Sequence, residues 1–262
     1  AVSVVVPTPF HAEVATNVMK RGIHCLLEKP IASTPEEAEK LIKLAKDKEV
    51  VFTVGHIEHY NPLIVELKRV LDNGVVGEIT SVVCKRVGGF PQIEPKTDVV
   101  IDLAVHDIGI ISYILGEQPK KITSHGSRTF HSNKVDSAEI LLEYGKASGF
   151  IQANWLTPVK IRTIAITGSQ CYIEGNYVTQ ELDIYRHTLT KKFDKGGFSG
   201  FVTEMKTQEK ETLHVNFEEP LARELSTFLA HVRGDTRQPL VTPEEASNAL
   251  GLALKATQAY DK

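Results

Sequence analysis

The chain has 262 residues, 42% hydrophobic and 24% charged, with a formal net charge of −3 at pH 7. Thirty basic against 33 acidic residues leave no positive surplus for neutralising phosphates, so neither nucleic acid nor an anionic membrane is expected as a partner. The three cysteines, Cys25, Cys84 and Cys171, are too few and too scattered for a disulfide framework or a zinc cluster.

The longest apolar stretch, residues 99–115, carries Asp102, His106 and Asp107 and does not read as a membrane span. No signal-peptide pattern opens the chain. These features predict a soluble cytoplasmic protein. The first residues, Ala1-Val2-Ser3-Val4-Val5-Val6-Pro7, enter an apolar β-branched run at once. Chain ends usually fray at the surface, so the reading expects a further segment before residue 1.

In chain order, residues 2–6 read as a strand, 12–20 as a helix with Val14, Ala15 and Val18 on one face, and 23–27 as a buried strand. Thr34, Pro35 and Glu37 form a capping box for a helix whose stripe continues through Leu41, Ile42 and Ala45. Residues 50–54 make a third strand. Alternating strands and helices with continuous apolar strands predict a parallel sheet covered on both faces.

Asn61-Pro62 opens a helix with Leu63, Leu67, Val70 and Leu71 on its apolar stripe, closed by Gly74. The texture then changes. Strand-like runs follow at 79–87, 121–130, 138–144, 147–155, 161–167 and 171–173, with turn signals between several of them. One helix over 102–115 interrupts them, 191–200 reads as a loop, and helices at 220–233 and 243–260 finish the chain. The fold class expected is α/β: a truncated parallel Rossmann-type unit over residues 1–58, then an α+β domain over 59–262 with a large, mostly antiparallel, open-faced sheet. The last helix is expected to pack back on the first unit.

Open parallel sheets bind ligands beyond the carboxyl ends of their strands. Three segments fall there: Pro7-Thr8-Pro9-Phe10-His11, Glu28-Lys29-Pro30, and residues 55–61 with His56 and His59. A charged pair directly after a buried strand is either used or simply a solvated strand end. Asp102 and His106, four apart on one helix, are either a tuned base with its carboxylate or a hydrogen-bonded pair at a domain seam. Arg86, before Val87-Gly88-Gly89-Phe90-Pro91, is either a phosphate clamp or a surface arginine. His56 and His59 lack the partner cluster of a metal site, and no metal is expected. No Gly-x-Gly-x-x-Gly follows any strand. Gly196-Gly197-x-x-Gly200 lies late, in the expected loop.

Taken in order, these motifs resemble the Gfo/Idh/MocA oxidoreductases. Thr8-Pro9-Phe10-His11 is similar to that family's Thr-Pro-Asn-x-x-His segment, shortened and without the Asn. Glu28-Lys29-Pro30 is similar to its Glu-Lys-Pro, and Asp102-Leu103-Ala104-Val105-His106 to its Asp-x-x-x-His helix. Arg86 to Pro91 and Asp102 to Ile108 resemble segments of its UDP-sugar oxidoreductases, from which Gly109 and His59 depart.

The resemblance implies NAD, or NADP, as cofactor and oxidation of a sugar's secondary hydroxyl, at C3 of a UDP-N-acetylhexosamine. It assigns His106 as base, Lys29 as the group on the reacting oxygen and Asp102 as the residue that orients substrate or tunes His106. Pro7, Thr8, Pro9, His11, Glu28, Lys29 and Pro30 would line the cofactor, while Lys29, Arg86, Asp102 and His106 would meet substrate. It also implies a homo-oligomer through the open sheet face, with Ile140, Leu142, Phe150, Ala153 and Trp155 as candidate apolar positions. The missing glycine loop keeps a catalytically silent sugar- or partner-binding module as the alternative. Redox-neutral chemistry on a tightly held NAD is a third.

Overall fold

The computed structural model describes residues 1–92, 95–130, 133–186, 210–237 and 239–259. The glycine-containing loop expected at 191–200 lies outside them. The first sheet has three parallel strands in the order β1-β2-β3: β1 (Val2–Val4), β2 (Cys25–Glu28) and β3 (Phe52–Gly55). Its helices are α1 (His11–Met19) and α2 (Pro35–Asp47).

The capping box before α2 forms as expected: Thr34 Oγ1 accepts from Glu37 N at 3.3 Å, and Glu37 Oε2 accepts from Ser33 N at 3.0 Å. Ala15, Met19, Leu27, Leu41 and Val54 pack into this unit's core. The first strand is shorter than the apolar run predicts. β1 pairs only with β2, and Val2 and Val5 are exposed. An edge position explains this, because it gives the strand one neighbour and not two.

The second sheet has eight strands in the order β11-β10-β9-β8-β4-β7-β6-β5. In chain order they are β4 (Ile79–Val87), β5 (Lys121–Ser127), β6 (Ser137–Glu143), β7 (Ser148–Asn154), β8 (Ile161–Gly168), β9 (Cys171–Asn176), β10 (Glu181–Arg186) and β11 (Lys210–His214). Every adjacent pair is antiparallel except β4 with β7, which is parallel. The last two strands were not expected. They are short and half-polar, and they pair with each other across a long connection.

Among the described residues there are four further helices: α3 (Pro62–Asp72), α4 (Val105–Leu115), α5 (Pro220–Val232) and α6 (Pro243–Ala259). One π-helical turn, Val100–Ala104, leads into α4, where the sequence predicts uninterrupted α-helix. Gly116 ends α4 in the left-handed region at φ 66°, which glycine adopts without a Cβ penalty.

The inward residues of the large sheet, among them Val82, Cys84, Ile140, Leu142, Ile151 and Ala153, form one core with α3, α4 and α6. The opposite face is open, and Val83, Leu141 and Phe150 are exposed there on neighbouring strands. Of the five apolar candidates, only Phe150 looks out; Ile140, Leu142, Ala153 and Trp155 are buried.

α6 packs against α4 and β5 on one side and α2 and β3 on the other. Ser124 Oγ donates to Ala256 O at 2.6 Å, and Lys46 Nζ lies 2.7 Å from Glu244 Oε1. The final helix therefore fastens the large sheet to the small one. Among the described residues, no helix is long and apolar enough to cross a membrane.

Candidate active site

The carboxyl ends of β2 and β3 open toward the turn that starts α4. Lys29 follows directly after β2, and its Nζ donates to the Asp102 backbone carbonyl at 2.7 Å and to Asp102 Oδ1 at 3.2 Å. The side chains of Lys29 and Asp102 are 19% and 41% exposed, so the pair stays open to a ligand. Lys29, Pro30, Thr8 and Asp102 line one cleft of about 330 Å³. An adjoining apolar cleft is walled by Pro9, Pro30, Ile101, Leu250 and Leu254. A flat heteroaromatic ring suits such walls, with polar groups at one rim.

The other cofactor-side candidates divide. Pro7 sits on the surface at the start of the short turn Thr8–Phe10. Glu28 Oε2 accepts from Lys29 N at 3.1 Å, and a Cβ at Gly55 would come within 3.2 Å of that oxygen. Glycine at 55 thus leaves room for the Glu28 carboxylate. His11 is buried. Its Nδ1 and Nε2 each lie 2.8 Å from a carbonyl oxygen, those of Pro30 and Val6. It therefore ties the first loop to the second from behind and presents no free ring nitrogen to the cleft.

His106 lies one turn beyond Asp102. No hydrogen bond joins the two; Asp102 is bonded to Lys29, and His106 Nδ1 is buried without a partner. Burial first, then the charges of Lys29 and Arg86, hold its pKa well below the usual histidine range. The imidazole is therefore neutral at pH 7, the form that accepts a proton.

His56 packs edge-on to it, with ring centroids 6.3 Å apart, and His59 lies 6.1 Å beyond His56. Burial lowers the pKa of His56 to about 3 and that of His59 to about 4. Among the described residues, no group of three or more His, Cys, Asp or Glu side chains is placed to hold a metal ion.

Arg86 takes a place the sequence did not anticipate. It points into the core, 2% exposed, and donates from Nε and Nη2 to Asp107 at 2.8 and 2.9 Å and from Nη1 to Glu58 at 2.6 Å. As a substrate clamp or a surface arginine it would need solvent access, and it has almost none. Its inward neighbours on β4 are Val82 and Cys84, and strand alternation carries Arg86 to the same face. Asp107 and Glu58, the acids that hold it, were missed. Asp107 had one legible signal, a charge inside an apolar helix. Arg162 was missed entirely. It stands opposite Arg86 across the β4–β8 pair, and its side chain is one-third exposed.

The model of the Gfo/Idh/MocA oxidoreductase family, described as having an NAD-binding Rossmann fold, matches residues 1–56, and the family's C-terminal domain model matches residues 64–174. The chain belongs to this family.

Over 187 residues it is 29% identical to the UDP-N-acetylglucosamine 3-dehydrogenase of Acidithiobacillus ferrooxidans, a match covering 71% of this chain and 58% of that protein. It is 25% identical to the scyllo-inositol 2-dehydrogenase (NAD(+)) of Bacillus subtilis over 99% of this chain and 75% of that one. A solved structure of the A. ferrooxidans enzyme superposes with a TM-score of 0.83 at 24% identity, covering 98% of this chain and 77% of that chain.

Proposed function

We propose that this chain is the catalytic portion of an NAD-dependent dehydrogenase acting on a secondary hydroxyl of a sugar, C3 of a UDP-N-acetylhexosamine being the specific reading. One observation carries it: the Lys29 ammonium, brought in from the end of β2, meets Asp102 one turn before the neutral imidazole of His106. A cation and a proton acceptor set side by side suit the deprotonation of a hydroxyl whose oxygen gains charge as it reacts.

His106 takes the hydroxyl proton. Lys29 donates a hydrogen bond to the same oxygen, and Asp102 holds the Lys29 side chain in place. The clefts walled by Thr8, Pro9, Pro30 and Ile101 would hold the nicotinamide end of NAD, which when bound supplies the acceptor for the hydride leaving the carbon. The pyrophosphate-binding glycine loop has no counterpart after β1, β2 or β3.

The names of the relatives support a sugar or polyol substrate. The exposed Val83, Leu141 and Phe150 support the open face as a contact between copies of the chain. On that reading Phe150→Glu should shift the sedimentation profile toward the monomer, and an unchanged profile removes the face from that role.

The functional test is titration of NADH with and without UDP-N-acetylglucosamine. Saturable binding, tightened by the sugar nucleotide, is expected, and a folded chain that binds no NADH ends the dehydrogenase reading for this polypeptide. In active protein, His106→Asn should lower turnover by about two to four orders of magnitude. Near-normal turnover would take His106 out of the role of base.

A further inference from the structure

Two arginines face each other across the sheet. Arg86 on β4 and Arg162 on β8 are register partners, and Arg162 shares its face with the buried Ile164 and Ile166. Like charges directly opposite on neighbouring strands destabilise a sheet unless acids compensate them. Two acids are at hand, and Arg86 holds both. It grips Asp107 with two hydrogen bonds and Glu58 Oε1 with a third at 2.6 Å. Arg162 reaches that same Glu58 oxygen only at 3.7 Å, beyond hydrogen-bond distance.

The remaining carboxylate nearby, Asp102, is bonded to Lys29. Among the described residues, Arg162 is therefore left with that one ion pair at 3.7 Å and no hydrogen-bonded acid, and through Glu58, Arg86 and Asp107 its guanidinium joins the cluster at the start of α4, next to His106. Its charge acts on His106, and the charge of Asp102 acts on it. Burial, then the Arg86 charge, pull its pKa below the usual guanidinium range, with Glu58, Asp107 and Asp102 opposing. Such a cation, fixed by the fold and short of one hydrogen-bonded anion, is a receptor for an oxyanion. Its planar fork can grip carboxylate or phosphate with two parallel bonds.

We propose that Arg162 is the specificity-determining residue of this site: it seats an oxyanion group of the substrate, so the chain selects acidic sugars, carrying phosphate or carboxylate, over neutral polyols. This deepens the dehydrogenase reading, on which it rests for the location of the sugar. Arg86, the arginine that the sequence points to, serves instead as the anchor that takes the hydrogen bonds of Glu58 and Asp107, leaving Arg162 only the longer contact with Glu58.

The test is calorimetric binding of three probes, UDP-N-acetylglucosamine, glucuronate and myo-inositol, to the intact chain and to Arg162→Met and Arg162→Lys. Tightest binding of one of the two anionic probes is expected, and which one it is separates phosphate from carboxylate. Arg162→Met should weaken that probe at least tenfold and leave myo-inositol unchanged. Arg162→Lys should recover part of the loss and steepen its dependence on salt. Unfolding midpoints in urea confirm that each variant is folded, and Arg86 still holds Glu58 in both.

Equal affinity of wild type and Arg162→Met for the anionic probe overturns the proposal, as does a wild-type preference for myo-inositol or no binding of either anionic probe. NADH titration on the same samples reports the dehydrogenase reading separately. Arg162-dependent sugar binding without NADH binding would leave this inference standing and remove the other.

Discussion

Asp102 and Asp107 lie five residues apart where the π-turn runs into α4, and each meets one principal cation. At Asp102 the carboxylate is 41% exposed and touches Lys29 through a single side-chain bond of 3.2 Å. At Asp107 the carboxylate is 1% exposed and takes two N–H bonds from Arg86. An open pair of the first kind exchanges readily with water or a ligand, so it costs little to rearrange. A buried pair of the second kind is held by the penalty of exposing either half alone, which makes it a rigid strut and a poor receptor. The helix thus turns adjacent residues to opposite tasks. His106 belongs with the first pair, and Asp107 anchors the second.

The comparison can be broken most sharply at Arg86. Arg86→Met strands Asp107 and Glu58 in the core, and a loss of about 3–5 kcal/mol in urea unfolding is expected. A loss under about 1 kcal/mol would mean that the buried pair behaves like a surface one.

A third carboxylate, Glu224 on α5, is buried with Oε1 lacking any partner. Burial, then the charges of Glu28 and Glu219, raise its pKa from 4.5 to about 8. Because the folded chain binds this proton more tightly than the unfolded one, its contribution favours folding below about pH 4.5 and fades as pH rises toward 8. The difference in stability between wild type and Glu224→Gln, followed across that window, should change on the order of 3 kcal/mol with that sign. A pH-independent difference would place the proton elsewhere.

Asp102→Asn is the mildest, costing less than about 1 kcal/mol of stability. Its effect should instead appear in turnover, because Lys29 keeps a hydrogen-bond acceptor there but loses the charge that pairs with its ammonium.

The legible parts of the molecule were those written locally. The Glu-Lys-Pro turn, the Asp-x-x-x-His spacing, the cap at Thr34 and the parallel character of the first three strands all follow from neighbours in the chain. Arg86 was conspicuous, but its direction was not. Both faces of β4 carry valine, Val82 on one and Val83 on the other, so alternation could not say which face is covered. Arg162 had no signal at all, sitting in an ordinary Ile-Arg-Thr run, and its meaning arises only from register with Arg86. The same limit applies to the π-turn, since residues 102–115 read as one continuous helix.

The order of the large sheet bears on how the chain folds. β4 is its central strand and the earliest of the eight in sequence, yet its two partners, β7 and β8, begin at Ser148 and Ile161. The hairpins β5–β6–β7 and β8–β9–β10 can form locally, but both must then dock on a strand made some sixty or more residues earlier. During synthesis an apolar segment, Val82-Val83-Cys84, therefore waits unpaired while some sixty or more further residues are made. Contacts of such long sequence separation slow folding and prolong the life of an aggregation-prone edge. Chaperone dependence and refolding yield should thus respond more to substitutions in β4 than to equal changes in the outer strands.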